Sequence, residues 1–221
     1  MIAYIDIEHI SLSRDNERWQ ARLGRVLKVK YRLEAISGLP CLIMRYEQVS
    51  PARLDELGIR AVLISGSATE LPHYGPDELA GMTAMFHQVS RPTFGFCGGQ
   101  QMMAHLLGAR VAPINETESG TMATGGWQER THELGFTAVK ATGPHQLLSD
   151  LSPDLQMFEA HYWELKEIPA GFHNYASSEV SPIQFIAHET LPLFGTQFHP
   201  EAFDEAHPDG QKMLANFFQL L

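Results

Sequence analysis

The stretch Arg91-Pro92-Thr93-Phe94-Gly95-Phe96-Cys97-Gly98-Gly99-Gln100-Gln101 decides how the rest of the chain is read. Its first half reads as a short apolar strand and residues 100–107 as a helix, so Cys97 falls in the turn between them. Gly95 and Gly99 leave room for a sharp turn and for a ligand to approach the sulfur. The helix behind the turn offers unpaired N–H groups and the positive end of its dipole. Both favour a thiolate over a thiol at Cys97. The backbone N–H of Gly98 would face an oxyanion formed at that sulfur. The whole has the form of a strand–turn–helix nucleophile elbow built on cysteine. The plain alternative is a small buried cysteine in a Gly-rich connection, and the choice between them rests on whether the chain also supplies a base.

Outward from the elbow, short apolar strands alternate with helices. Strands are expected at residues 2–7, 39–46, 59–65 and 93–96. Helices are expected at residues 15–36, ending at Gly38, at 51–57 with Ser50 as N-cap, and at 77–89. In the first helix Trp19, Leu23, Val26 and Leu27 are expected to face the core, and the basic run from Arg22 to Arg32 to be a solvated face. This rhythm predicts an α/β fold, a mostly parallel central sheet flanked by helices. Ligand sites in such folds lie at the carboxyl ends of the strands, where both Cys97 and Ser65-Gly66-Ser67 stand. After Leu107 the pattern loosens into shorter strand-like runs at 108–114 and 127–141, a small antiparallel β addition, and 155–159, 183–188 and 193–198 are further strand candidates. Residues 211–221 form an amphipathic helix with Met213, Leu214, Phe217 and Phe218 inward. No linker or repeat divides the chain, so residues 1–221 read as one domain.

The composition narrows the function classes. With 44% hydrophobic and 19% charged residues the chain can build a real core. A formal net charge of −10 disfavours a general nucleic-acid binder. No apolar run is long enough to span a membrane, and the opening Met1-Ile2-Ala3-Tyr4-Ile5-Asp6 lacks the basic region of a secretion signal. Cys41 sits in an apolar run and reads as core. Two cysteines make no disulfide scaffold, so a reducing, cytoplasmic setting is expected. His132-Glu133 and His188-Glu189 each begin like a zinc-protease helix but lack the second histidine, so no metal site is expected. Nor is there a Gly-rich phosphate loop, and no cofactor is expected. Tyr162, Trp163, Phe172 and Tyr175 read as core and rim.

The base is found at His199-Pro200-Glu201, after the strand-like Phe194-Gly195-Thr196-Gln197-Phe198. Proline holds the preceding residue extended, and in an extended segment residues two apart share a side. Glu201 can then orient His199 as the third member of a nucleophile–base–acid set with Cys97.

Gly95-x-Cys97-x-Gly99-x-Gln101, the Gln-Phe-His-Pro-Glu sequence of residues 197–201 and the tail 210–218 together resemble the class I, triad-type glutamine amidotransferases over essentially the whole chain. The resemblance implies their flavodoxin-like architecture and their reaction. Cys97 attacks the side-chain amide of L-glutamine, His199 passes a proton to the leaving ammonia, and water cleaves the γ-glutamyl thioester. It implies an oxyanion hole from Gly66 and Gly98, and substrate contacts from Gln101 and from His161. Ammonia would pass to a separate synthetase or aminase chain. Two departures stand out. The oxyanion loop reads Ser65-Gly66-Ser67-Ala68 where the family has Ser-Gly-Gly-Pro. Ala160 and Trp163 replace the serine and acid of the family segment around His161. These leave a second reading, a γ-glutamyl hydrolase or peptidase; against a third, a non-catalytic binding subunit, stand the intact Cys97, His199 and Glu201. Glu116-Thr117-Glu118-Ser119-Gly120 resembles the family loop after the elbow helix, where contact with substrate or partner is expected.

Overall fold

The structure, a computed structural model, describes residues 1–116 and 130–221. Five parallel strands come first in space: β2 (Cys41–Arg45), β1 (Ile2–Asp6), β3 (Ala61–Ile64), β4 (Thr93–Phe96) and β11 (Leu193–Thr196). The sheet continues through antiparallel β10 (Phe185–His188), β9 (Phe172–Ser177), β6 (Glu133–Ala141) and β7 (Asp154–His161). A two-stranded sheet pairs β5 (Val111–Pro113) with β8 (Trp163–Leu165). The α/β class, mostly parallel with a smaller antiparallel part, is as the alternation implied. Two strands were not read from the sequence. Phe172–Ser177 mixes aromatic and polar residues without clean alternation, and Trp163–Leu165 is too short to show a period. The expected run at 127–129 and the loop residues 117–120 lie outside the described residues.

Strand alternation sets the two halves of the core. Ala3, Ile5, Val62 and Ile64 face α2 (Pro51–Glu56), α3 (Pro76–His87) and α4 (Gly98–Leu106), through Leu54, Met82, Phe86, Met102 and Met103. Ile2, Tyr4, Leu63, Phe94 and Phe96 face α1 (Asn16–Ser37) and α5 (Asp209–Phe218), through Val26, Leu33, Met213, Leu214 and Phe217. Phe217 is fully buried, and truncating such a side chain to alanine costs about 3–5 kcal/mol. Cys41 lies in this second half, as expected, and burial pushes its thiol up to about 12.

Helix α1 is turned relative to the sequence expectation. Leu23 and Leu27 are 42% and 46% exposed, while Arg22, Val26 and Leu33 are buried. The inward stripe therefore runs 22–26–29–33, a helical spacing in which one position is an arginine. The reason is electrostatic: Asp6, buried at the carboxyl end of β1, takes Arg22 as its ion-pair partner. The basic run is thus not a uniformly solvated face. Arg25 and Lys28 are exposed, Arg22 is buried, and Arg32 reaches inward to donate to the Glu201 carbonyl at 2.7 Å.

Candidate active site

Cys97 closes β4 and stands at the N-cap of α4, with φ 47° and ψ −108°. A positive φ on a residue other than glycine costs about 1–3 kcal/mol and persists only where neighbours hold it. Here the Cys97 N–H donates to the Thr196 carbonyl at 2.6 Å, and its own carbonyl accepts from Gln101 N at 3.0 Å. The glycines serve close approach. A Cβ at Gly95 would lie 2.6 Å from the Gly99 carbonyl carbon, and one at Gly99 would lie 2.6 Å from the Ile64 oxygen. Any side chain at either position would push α4 off the sheet and carry the sulfur with it.

His199 approaches from the neighbouring strand. β11 runs parallel to β4 with Thr196 opposite Phe96, so the chain leaving β11 passes beside the elbow. His199 Nδ1 donates to Glu201 Oε1 at 2.7 Å. A carboxylate only accepts, so Nδ1 carries the proton and Nε2 is left for the sulfur. The pair is made across a 3₁₀ turn, Pro200–Ala202, rather than in the extended segment expected from the sequence. Phe158 of β7 accepts from the His199 N–H at 2.8 Å and fixes the backbone behind the ring. Burial pushes His199 down. The Glu201 carboxylate and the Cys97 sulfur push it up more strongly, so its pKa is raised well above 6.5.

The loop after β3 covers the gap between sulfur and imidazole. A Cβ at Gly66 would lie 2.7 Å from His199 Cε1 and 3.5 Å from Cys97 Cβ. A Cβ at Gly98 would lie 2.7 Å from Ser67 N, so the loop amides and the first turn of α4 stand together. Among the described residues, the N–H groups of Gly66 and Ser67 find no acceptor, as donors reserved for an oxyanion would. The altered Ser67-Ala68 sequence is held by two side chains that sequence reasoning did not single out. The Glu8 carboxylate, 1% exposed, accepts from Ala68 N at 2.7 Å, Thr69 N at 3.2 Å and Thr69 Oγ1 at 2.6 Å. Arg22 donates to Ser65 Oγ at 2.7 Å and to the Gly66 carbonyl at 3.0 Å while paired with Asp6. Acids at the carboxyl end of an otherwise apolar first strand were the available signal.

Gln101 and His161 both line the pocket over the sulfur, together with Ala68, Tyr162 and Trp163. The Gln101 amide nitrogen is committed to the Trp163 carbonyl at 2.8 Å and to Gln197 Oε1 at 3.1 Å. Gln197 in turn directs its own amide nitrogen at the sulfur from 3.5 Å. His161 is 3% exposed. Its Nδ1 donates to the Trp163 carbonyl at 2.9 Å, and its Nε2 faces Glu133 at 3.0 Å and Glu159 at 3.3 Å. Its polar atoms are thus turned to β6, β7 and β8 rather than to the pocket.

Glu133, Glu159 and His161 are the group whose spacing could hold a metal, their ligand atoms lying within 4.8 Å of one another. Burial lowers the pKa of His161, but hydrogen bonds to Glu133 and Glu159 raise it further, to about 10. Nε2 is hydrogen-bonded to Glu133 at 3.0 Å, and burial raises the pKa of the neighbouring Glu159 as well. His132 and His188 sit beside or on strands, not on helices.

A GMP synthase (glutamine-hydrolyzing) of Vibrio atlanticus is 30% identical over 189 residues, which cover 78% of this chain and 33% of that protein. A single subunit of the GMP synthase (glutamine-hydrolyzing) of Pyrococcus abyssi is 30% identical over 135 residues, covering 61% of this chain and 63% of the relative. The chain thus spans about a third of the full-length synthases it matches. A glutamine amido transferase from Methylobacillus flagellatus superposes with a TM-score of 0.67 at 17% identity, over 100% of this chain and 94% of the other; that likeness speaks for the fold. The family model for Glutamine amidotransferase class-I matches residues 30–221. That match runs from the middle of α1 through α5 and takes in both the elbow and the His-Pro-Glu segment, so the chain belongs to the class I glutamine amidotransferase family.

Proposed function

We propose that the chain hydrolyses the side-chain amide of L-glutamine and delivers ammonia to a separate acceptor enzyme. The observation that carries this reading is the line Cys97–His199–Glu201, with the strained elbow at one end and the 2.7 Å Nδ1–Oε1 bond at the other. The Cys97 sulfur attacks the amide carbon while backbone N–H groups of Gly98 and of the Gly66 loop take the oxyanion. His199 Nε2 gives its proton to the departing ammonia. Water, deprotonated by the same nitrogen, then splits the thioester to glutamate. Glu201 keeps the ring in the tautomer that both steps need. Gln101 bounds the pocket and holds the Trp163 carbonyl. His161 acts from beneath by fixing the strand end at Ala160, whose carbonyl lies 3.9 Å from the sulfur.

The relatives' names support the nitrogen donor and suggest the acceptor. The span of the longer GMP synthases that this chain does not cover leaves room for a synthetase part, and the shorter Pyrococcus relative is named as one subunit of such an enzyme. The synthetase of a GMP synthase is therefore the first partner to test. A reducing cytoplasmic setting fits two free thiols, Cys41 and Cys97, and no helix among the described residues is long and apolar enough to cross a membrane.

The test is glutamate release from glutamine by wild type beside Cys97→Ala, with and without the candidate synthetase. Loss of a triad nucleophile costs roughly 10⁴-fold or more. Equal release by both proteins would remove Cys97 from the mechanism.

A further inference from the structure

Gln197 follows Thr196 directly at the end of β11 and is fully buried. An amide in that setting is unfavourable unless its polar ends are bonded. Its oxygen accepts from Gln101 Nε2 at 3.1 Å, and its nitrogen points at Cys97 Sγ from 3.5 Å. A glutamine amide can be turned end for end with almost no change of shape. The chemistry it offers the sulfur therefore depends on what fixes its direction.

A line of hydrogen bonds fixes it. The Trp163 carbonyl, at the start of β8, can only accept. It accepts from His161 Nδ1 at 2.9 Å and from Gln101 Nε2 at 2.8 Å. The Gln101 nitrogen therefore faces Trp163, and the second of its two N–H groups is the one given to Gln197 Oε1. Gln197 then has only its nitrogen to offer Cys97. The direction also matters for what else lies near the sulfur. The Ala160 carbonyl stands 3.9 Å away, placed to accept from an S–H. A reversed Gln197 would set a second oxygen against the sulfur and disfavour charge on it.

We propose that Gln197 is the side-chain donor that holds negative charge on the Cys97 sulfur, and that Gln101 acts through it as a positioning residue. The inference rests on the Cys97 chemistry proposed above and assigns a part to two further side chains in it. When Sγ–H gives its proton to His199 Nε2, the electron pair left on sulfur accepts the Gln197 N–H. Attack on the γ-carbonyl carbon places that pair in the new S–C bond. When water opens the thioester, the S–C bond breaks, the pair returns to sulfur, and the same N–H receives it. Gln197 thus serves the two points at which the sulfur is charged, and backbone N–H groups serve the oxyanion formed between them. A bond to an ionised acceptor is about twice as strong as one to a neutral acceptor, so this donor favours thiolate over thiol.

The experiment follows alkylation of Cys97 by iodoacetamide, a small neutral probe, as a function of pH. It is read on the Cys97 peptide by mass spectrometry, beside glutamate release and thermal unfolding. Wild type is compared with Gln197→Met, Gln101→Met and the double variant, since methionine keeps the length of glutamine without its amide. The midpoint of the alkylation profile should move up by about one pH unit in Gln197→Met, which is about tenfold less alkylation below the midpoint. It should move less in Gln101→Met, and no further in the double variant than in Gln197→Met. A structural role alone would slow glutamate release without moving the midpoint. An unmoved midpoint in a folded Gln197→Met protein overturns the proposal and leaves glutamine hydrolysis standing. Additive shifts in the double variant overturn the part given to Gln101. If Gln197→Met does not fold, the wild type decides. The ¹⁵N-labelled side-chain amide of Gln197 should titrate with the alkylation midpoint and lose that titration in Cys97→Ala; a resonance indifferent to pH overturns the proposal. A wild type that is neither alkylated at Cys97 nor releases glutamate overturns this inference and the reading beneath it together.

Discussion

Replacing Gly66 by alanine tests the geometry of the site with a single methyl group. The new Cβ would lie 2.7 Å from His199 Cε1, where ordinary contact begins near 3.4 Å. Gly66 does not occupy the left-handed region, so alanine is conformationally allowed there and its effect is steric. The ring, or the loop, must give way by about 0.7 Å, the difference between those two distances. A ring shift of that size, away from the loop, lengthens the 2.7 Å bond to Glu201 or the reach to the sulfur. Misplacement on the order of 1 Å costs about 10²-fold in rate, or about 2.7 kcal/mol of transition-state stabilisation. The imidazole is 17% exposed and can yield, so the fold should lose only about 1 kcal/mol, a fall of about 2–4 °C in Tm. The assay is glutamate release, with kcat and KM separated, beside thermal unfolding. The kcat should fall about 10²-fold with KM little changed. Gly24→Ala is the control: nothing lies within 4 Å of that position, and it should leave the rate alone. A Gly66→Ala protein within twofold of wild-type activity would refute the placement of the loop over the imidazole, as would a loss fully matched by unfolding.

Glu201→Gln removes the main charge that raises His199. The imidazolium is lost as pH rises through the raised pKa, so the alkaline limb of kcat/KM should move towards neutrality in the variant, with a rate loss of about 10²-fold or more; an unmoved limb contradicts the assignment. His161, with its pKa raised to about 10 from 6.5, adds stability that is fully present below about pH 6.5 and lost as pH rises through about 10. Ring ¹⁵N shifts at pH 8 should report an imidazolium, and a neutral ring would refute the ion pair with Glu133. Arg22→Ala leaves Asp6 with Arg45, at 3.1 Å, as its ion-pair partner among the described residues and frees the Gly66 carbonyl from Arg22. It should cost about 3 kcal/mol in urea unfolding, and pairing it with Asp6→Asn should recover part of the stability but not the activity.

The sequence disclosed those parts of the site that depend on local spacing. A glycine-framed cysteine between strand and helix, and a histidine two residues from a glutamate across proline, are legible because backbone geometry within a few residues determines them. The parallel strands were legible for the same reason: each is a short apolar run closed by a turn signal. Contacts made between distant segments were not. Glu8 grips residues 67–69 from the end of a different strand, and Arg22 looks like one more cation on a charged helix until Asp6 is placed beside it. Leu23 and Leu27 misled because apolar spacing alone cannot say which stripe of a helix finds a partner. The antiparallel strands β8 and β9 escaped because pairing with neighbours, rather than their own alternation, makes them strands.

The backbone at Cys97 bears on which residue that position would hold without its chemistry. Every L-residue is strained at φ 47° and ψ −108°, and glycine alone is relaxed there. The single change Cys97→Gly would relieve that strain, against the loss of a side chain that is 4% exposed and the greater freedom of glycine in the unfolded chain. The backbone therefore gives cysteine no conformational advantage at this position, and a Cys97→Gly protein should fold and be chemically silent.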